Sequence, residues 1–134
     1  MTISKLKTIL IVEDDEDILF SLQILLEDEG YKAHVAGNGL VALELIKKYG
    51  VPDLILLDMM MPVMNGWQFS LEFKALYVHL CPIIVMTAAA DAEQRAKDIG
   101  AIGWLGKPFN FNKLLAVIKK HVNVDENLNQ TIIS

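Results

Sequence analysis

The chain has 134 residues, enough for one domain with a full core and too few for that domain plus a folded second module. Hydrophobic residues make up 53% and charged residues 22%, and no apolar run approaches the roughly 20 residues of a membrane span, which excludes membrane insertion. The 12 basic and 17 acidic residues leave a net charge of −5 without a basic cluster, so the electrostatic footprint of direct nucleic-acid binding is missing.

In chain order, Lys5 and Lys7 precede the apolar run Ile9-Leu10-Ile11-Val12, which is shorter than a signal peptide's core of about 7–15 residues and ends in acids. It reads as a buried strand, and the lone Cys81, unable to form an internal disulfide, fits a reducing cytoplasm. Ile18, Leu22, Leu25 and Leu26 recur at helical spacing before Gly30 and predict the first helix. Lys32 to Ala36 is mixed in polarity and suits an edge strand. After the Asn38-Gly39 break, Leu43 and Ile46 mark a second helix. Leu54 to Leu57 and Ile83 to Met86 are further continuous apolar runs, and Ile102 to Leu105 is a weaker one; strands covered on both faces have this pattern. Between them, Phe69, Phe73 and Leu76 form an apolar helical stripe, as do Phe111, Leu114, Leu115, Ile118 and Val122 near the end. Asp91 to Ile99 offers only Ala92, Ala96 and Ile99 to a core, which makes it the most weakly held helix and the natural moving part. Alternating strands and helices with right-handed crossovers predict an α/β fold: five parallel strands with helices on both faces. Asn123 to Ser134 is polar and without period, a loose tail.

The polar residues fall at informative places. Glu13 and Asp14, Asp58, Thr87 and Lys107 each stand at or just past the C-terminal end of a different predicted strand, where ligands bind in open α/β sheets. Three carboxylates brought together repel by roughly 4 kcal/mol per close pair at an effective dielectric near 20, unless a cation shares the space. An all-oxygen donor set favours Mg²⁺, with Mn²⁺ as substitute, over zinc.

The runs Ile9-Leu10-Ile11-Val12-Glu13-Asp14-Asp15, Leu56-Leu57-Asp58-Met59-Met60-Met61-Pro62 with Gly66, Val85-Met86-Thr87-Ala88 and Lys107-Pro108-Phe109 together resemble the receiver family of two-component response regulators, over about Thr8 to Val122. The resemblance implies a doubly wound, flavodoxin-like sheet in the order 2-1-3-4-5, with residues 1–123 as a stand-alone receiver and 124–134 as tail. It implies that Asp58 is the phosphoacceptor, forming an aspartyl phosphate, and that Glu13, Asp14, Asp58 and the Met60 carbonyl hold the metal. Thr87 and Lys107 then meet phosphoryl oxygens, and Lys107-Pro108 is a cis peptide. Trp104 stands where the family carries a Tyr or Phe that swings inward, and is a larger ring. The expected donor is a histidine kinase or histidine phosphotransfer protein. The output surface is the fourth helix, fifth strand and fifth helix, read by a downstream target protein. The protein is expected to be cytoplasmic, monomeric or weakly dimeric, and to catalyse no reaction beyond its own phosphoryl transfer and dephosphorylation. Apolar Met60 and Ala89, facing the phosphorylation site, are expected to position the attacking water poorly and prolong the phosphoryl lifetime.

Plainer readings hold elsewhere. Asp15 and Asp17 suit the start of a helix. His34, His79 and His121 lack a phosphodonor context and are read as surface or packing residues. The methionines at 59, 60, 61 and 64 read as adaptable packing, while Trp67 is either half-buried cover or an exposed contact. Two rivals share features of the pattern. A haloacid-dehalogenase-type phosphatase also uses an aspartyl phosphate, but its nucleophile directly follows the first strand. A flavodoxin-like cofactor carrier needs a Ser/Thr/Gly-rich loop there, and this loop is acidic.

Overall fold

The computed structural model describes residues 6–77, 81–88 and 90–122; the predicted tail, His79 and Ala89 lie outside them. Five parallel strands pair in the order β2-β1-β3-β4-β5: β1 (Thr8–Val12), β2 (Lys32–Ala36), β3 (Leu54–Asp58), β4 (Ile83–Thr87) and β5 (Gly103–Gly106). They alternate with α1 (Glu16–Asp28), α2 (Gly39–Tyr49), α3 (Gly66–Leu76), α4 (Ala92–Asp98) and α5 (Phe111–His121). No helix among the described residues is long and apolar enough to cross a membrane.

The three central strands are continuously apolar because both faces are covered. Ile9, Ile11, Leu54, Leu56, Ile84 and Met86 face Leu19, Leu22 and Leu26 of α1 and Leu114 and Ile118 of α5. Their neighbours Leu10, Val12, Ile55, Leu57, Ile83 and Val85 face Ala42 and Ile46 of α2, Phe69 and Phe73 of α3, and Ala96 of α4. The period of two thus sorts one strand's residues between two separate cores.

Helix starts follow local chemistry. Asp15 accepts from the Ile18 N–H and Asn38 from the Val41 N–H, while Asn65 and Gln68 form a reciprocal capping box, so orphan amides are satisfied at each first turn. Among the described residues α4 is the helix whose cap position, Asp91, makes no side-chain cap bond. Its buried residues are Ala92 and Ala96, with Ile99 just beyond, as the sequence predicts for a weakly held helix.

Three apolar positions depart from the predicted helical stripes and strand run. Leu76 is exposed at the last turn of α3, where Tyr77 takes the packing role, and Phe111 is exposed at the first turn of α5, edge-on to Phe109. Ile102 lies outside β5 and is exposed. Each stands at an element end, where a stripe runs off the surface it covers.

The C-terminal end of α5 is tied to the start of β2: the buried Tyr31 hydroxyl donates to the Val122 carbonyl at 2.7 Å. Tyr31→Phe is expected to cost about 1–2 kcal/mol, because it strands a carbonyl that water reaches poorly. Urea denaturation checks this.

Candidate functional site

The sheet register carries the polar residues to one rim. Val12 pairs with Ala36 and Leu57, Asp58 with Met86, and Thr87 with Gly106, so Glu13, Asp58, Thr87 and Lys107 emerge from four adjacent strand ends. Backbone bonds extend the ladder past the strands: the Glu13 N–H donates to the Ala36 carbonyl at 3.0 Å and the Lys107 N–H to the Thr87 carbonyl at 2.7 Å. The Lys107–Pro108 peptide is cis, as the resemblance implies.

Glu13 and Asp58 are buried, a rare position for acids, and Thr87 is buried at the end of its own strand. One carboxylate oxygen from each of Glu13, Asp14 and Asp58 falls within 4.8 Å of the others, with Asp14 on the exposed side. The Asp58 carboxylate is clamped at both atoms: Oδ1 accepts from the Met60 N–H at 3.2 Å and Oδ2 from Lys107 Nζ at 3.3 Å. Lys107 also forms an ion pair with Glu13 Oε1, though this buried oxygen has no hydrogen-bond partner of acceptable geometry. A buried, incompletely satisfied carboxylate oxygen facing two other acids fits a hard cation better than a closed structural network.

Charge balance in the site is uneven. Burial and the neighbouring Asp58 push the Glu13 carboxyl up to about 7, against the downward pull of Lys107. Burial alone depresses Lys107, but its ion pair with Glu13 and the negative charge of Asp58 outweigh that and hold it above its ordinary value. A folded carboxyl raised above 4.5 binds a proton that the unfolded chain releases, so stability falls as pH rises through that window. In chelator, native protein is therefore expected to lose more melting temperature between pH 5 and 8 than Glu13→Gln does. A thermal melt series checks the difference.

The Asp58 backbone is held from behind by Gly66. Its N–H donates to the Met59 carbonyl at 3.1 Å, and a Cβ built there would lie 2.6 Å from Met59 Sδ, 2.8 Å from Met59 Cα and 3.0 Å from the Asp58 carbonyl oxygen. Two of these atoms are backbone and cannot swing away. Gly66→Ala is expected to destabilise by about 1–3 kcal/mol through overpacking and to displace Asp58. Denaturant titration together with phosphoryl uptake checks both.

The remaining predicted residues take clear places. Asp15 caps α1, which bears out the plain reading, and Trp104 is exposed on β5 beside Val85. Among the described histidines, His34 packs on Tyr49 at 4.9 Å and His121 ends α5. Trp67 is half-buried on the α2/α3/α4 core, with the Arg95 guanidinium 4.8 Å from its ring centroid. The methionine loop divides: Met59 and Met61 are buried and Met64 packs on the core, whereas Met60 is 60% exposed. An open apolar cleft of about 470 Å³ runs beside Lys107, lined by Ile18 and Ser21 of α1 with Ala88, Phe109 and Phe111. Sequence reasoning assigns Gly66 no backbone role and does not pair Lys107 with Glu13; both depend on through-space approach.

Comparison with known proteins agrees with this geometry. The chain is 35% identical over 121 residues to sporulation initiation phosphotransferase F of Bacillus subtilis (strain 168), covering 89% of this chain and 96% of that one. It is 40% identical over 114 residues to the transcriptional regulatory protein CpxR of Escherichia coli (strain K12), covering 83% of this chain and 47% of CpxR. The chain spans about half the length of several curated relatives, including 54% of a probable transcriptional regulator of Pyropia yezoensis. Among solved structures, the response regulator TrrA of Thermotoga maritima, in complex with Mg²⁺-BeF, superposes with a TM-score of 0.77 at 32% identity, covering 87% of this chain and all of TrrA. Neither the phosphatase nor the flavodoxin-like alternative is favoured by these matches. Since the response regulator receiver domain description matches residues 9–119, the chain belongs to that family.

Proposed function

We propose that this chain is a phosphoacceptor signalling switch in which Asp58 receives a phosphoryl group from the phosphohistidine of a histidine kinase or phosphotransfer protein. The observation that carries this reading is the Asp58 carboxylate, buried at the sheet rim and clamped between the Met60 N–H and the Lys107 ammonium. An Asp58 oxygen forms the new O–P bond as the donor's N–P bond breaks, and the imidazole leaves with the electron pair of that bond. Carboxylates attack phosphoryl groups poorly, so positioning and charge neutralisation supply most of the rate.

Glu13, Asp14, Asp58 and the Met60 carbonyl would hold Mg²⁺, for which Mn²⁺ substitutes. When bound, the cation offsets the negative charge of the carboxylates and the incoming phosphoryl group. Lys107 neutralises the same charge from the other side, and the Thr87 hydroxyl donates to a phosphoryl oxygen. The domain occupies residues 1–123, with 124–134 as a tail. The apolar cleft between α1 and the Phe109–Phe111 segment gives the donor a route to the acid rim.

Signalling follows from repacking. Strong acceptor oxygens on Asp58 draw Thr87 and Lys107 inward, and α4, held by small side chains, follows with β5 and α5 to alter the surface read by a target protein. Trp104 begins exposed on that surface, so an inward swing carries its ring from solvent toward the sheet. Complete inversion of a 1:99 equilibrium takes about 5.5 kcal/mol of differential stabilisation. Apart from its own phosphoryl transfer and dephosphorylation, the protein acts as a binding switch and works in the cytoplasm as a monomer or weak dimer.

The test is intact-protein mass after incubation with acetyl phosphate, with and without Mg²⁺, followed by peptide mapping. A phosphate-sized gain that needs Mg²⁺ and maps to Asp58 is expected. A Mg²⁺-independent gain, a gain on another residue, or no gain from either acetyl phosphate or a phosphorylated histidine phosphotransfer domain would overturn the reading.

A further inference from the structure

We propose that Met60 is an oxidation site through which a peroxide shortens the lifetime of the phosphoryl group on Asp58; this second half rests on the acceptor reading above. The methionines near Asp58 differ sharply in access. Met59 is fully buried, with its sulfur against Gly66; Met61 and Met86 are buried; and the Met64 sulfur lies against Gly39. Met60 alone among the described methionines is exposed, at 60%. Sulfur oxidation requires solvent access, so a peroxide reaches Met60 first.

The chemistry is closed by the oxidant itself. The thioether sulfur attacks one peroxide oxygen, the O–O bond breaks, and an S–O bond forms. Sulfur loses two electrons, and the peroxide leaves as water or an alcohol after taking up a proton. Protein fold does not oppose the product, because the new polar group stands in solvent rather than in a core.

Its position gives the product a consequence. Met60 is two residues past Asp58, and its own N–H holds Asp58 Oδ1 at 3.2 Å. The native side chain, carried by this backbone and exposed to solvent, is apolar and offers water only a weak acceptor. A sulfoxide oxygen is a strong acceptor on the same flexible stem, able to hold a water beside the phosphoryl group. One added hydrogen bond to the attacking water is expected to speed phosphate loss by roughly two- to tenfold. Methionine sulfoxide is enzymatically reducible, so the effect is reversible.

The experiment treats the full chain with a low excess of hydrogen peroxide, maps single-oxygen mass gains by peptide, and then follows loss of phosphate after loading from acetyl phosphate and Mg²⁺. The expected result is oxidation concentrated at Met60 and faster phosphate loss, reversed by methionine sulfoxide reductase and absent when Met60→Leu is treated in the same way. Equal oxidation of Met59, Met61 and Met60, or an oxidised Met60 with an unchanged loss rate, would overturn this inference alone. No phosphate uptake by the untreated protein would overturn the acceptor reading and the lifetime effect with it, while the oxidation map would still report on Met60.

Discussion

Asp58→Asn is expected to abolish phosphoryl uptake from acetyl phosphate while making the metal-free protein more stable. The first effect follows because the amide oxygen is a far weaker nucleophile and, among the described residues, no other acid is held by both the Met60 N–H and Lys107: Glu13 pairs with Lys107 and accepts from the Asp15 N–H, and Asp14 is exposed. The second follows from like charge. Glu13 and Asp58 share a buried space, and burial first, with Asp58 adding to it, raises the Glu13 carboxyl to about 7. Removing one member relieves repulsion at neutral pH, and two acids within 4.8 Å of each other give a gain of about 1–3 kcal/mol after the lost Lys107 contact is set against it. Mg²⁺ affinity falls in the same variant. Intact mass, chelator melts and a Mg²⁺ titration followed by tryptophan emission measure the three effects, and phosphate uptake by Asp58→Asn would place the acceptor elsewhere.

Lys107→Met is expected to slow both formation and loss of the aspartyl phosphate by on the order of 10²-fold, the scale seen when one preorganised charge stabiliser is removed. Lys107 Nζ reaches Asp58 Oδ2 and Glu13 at once, from a side chain that is only 17% exposed, so solvent ions replace it poorly. Its removal leaves two buried carboxylates without their cation, yet the stability cost depends on pH. Below pH 7 Glu13 takes up a proton and the loss is small; at pH 8 it must stay charged and the loss grows. Lys107→Arg keeps the charge but brings a wider planar head, and partial rates are expected. Rapid-quench phosphorylation with chelator melts at pH 6 and 8 checks the prediction, and native rates in Lys107→Met would remove the ammonium from the chemistry.

Both predictions depend on residues named from the chain alone, and the physical reason is topological. In a parallel sheet every strand delivers its C-terminal residue to the same rim, so acids and a lysine following apolar runs must converge once the strands pair in register. Strand positions, the weak α4 and the acid rim were therefore legible in local pattern. Helix stripes were legible in their centres, where Leu22, Phe69, Phe73, Leu114 and Ile118 are buried, and misleading at their ends, where Leu76 and Phe111 leave the covered surface.

Local sequence determined the five strands, the helix start at Asp15, and the list of acids that share the rim. Tertiary structure alone decided which acid is buried, since Glu13 and Asp14 are neighbours with the same chemistry and only the fold turns one inward and the other to solvent. It also decided that Lys107 pairs with Glu13 as well as Asp58, that Gly66 must lack a Cβ because the Asp58–Met59 backbone passes behind it, and that Met60 stands in water between two buried methionines. Such facts are distances between residues far apart in the chain, or differences in burial between adjacent ones. Period and propensity carry no information about either until the strands are packed.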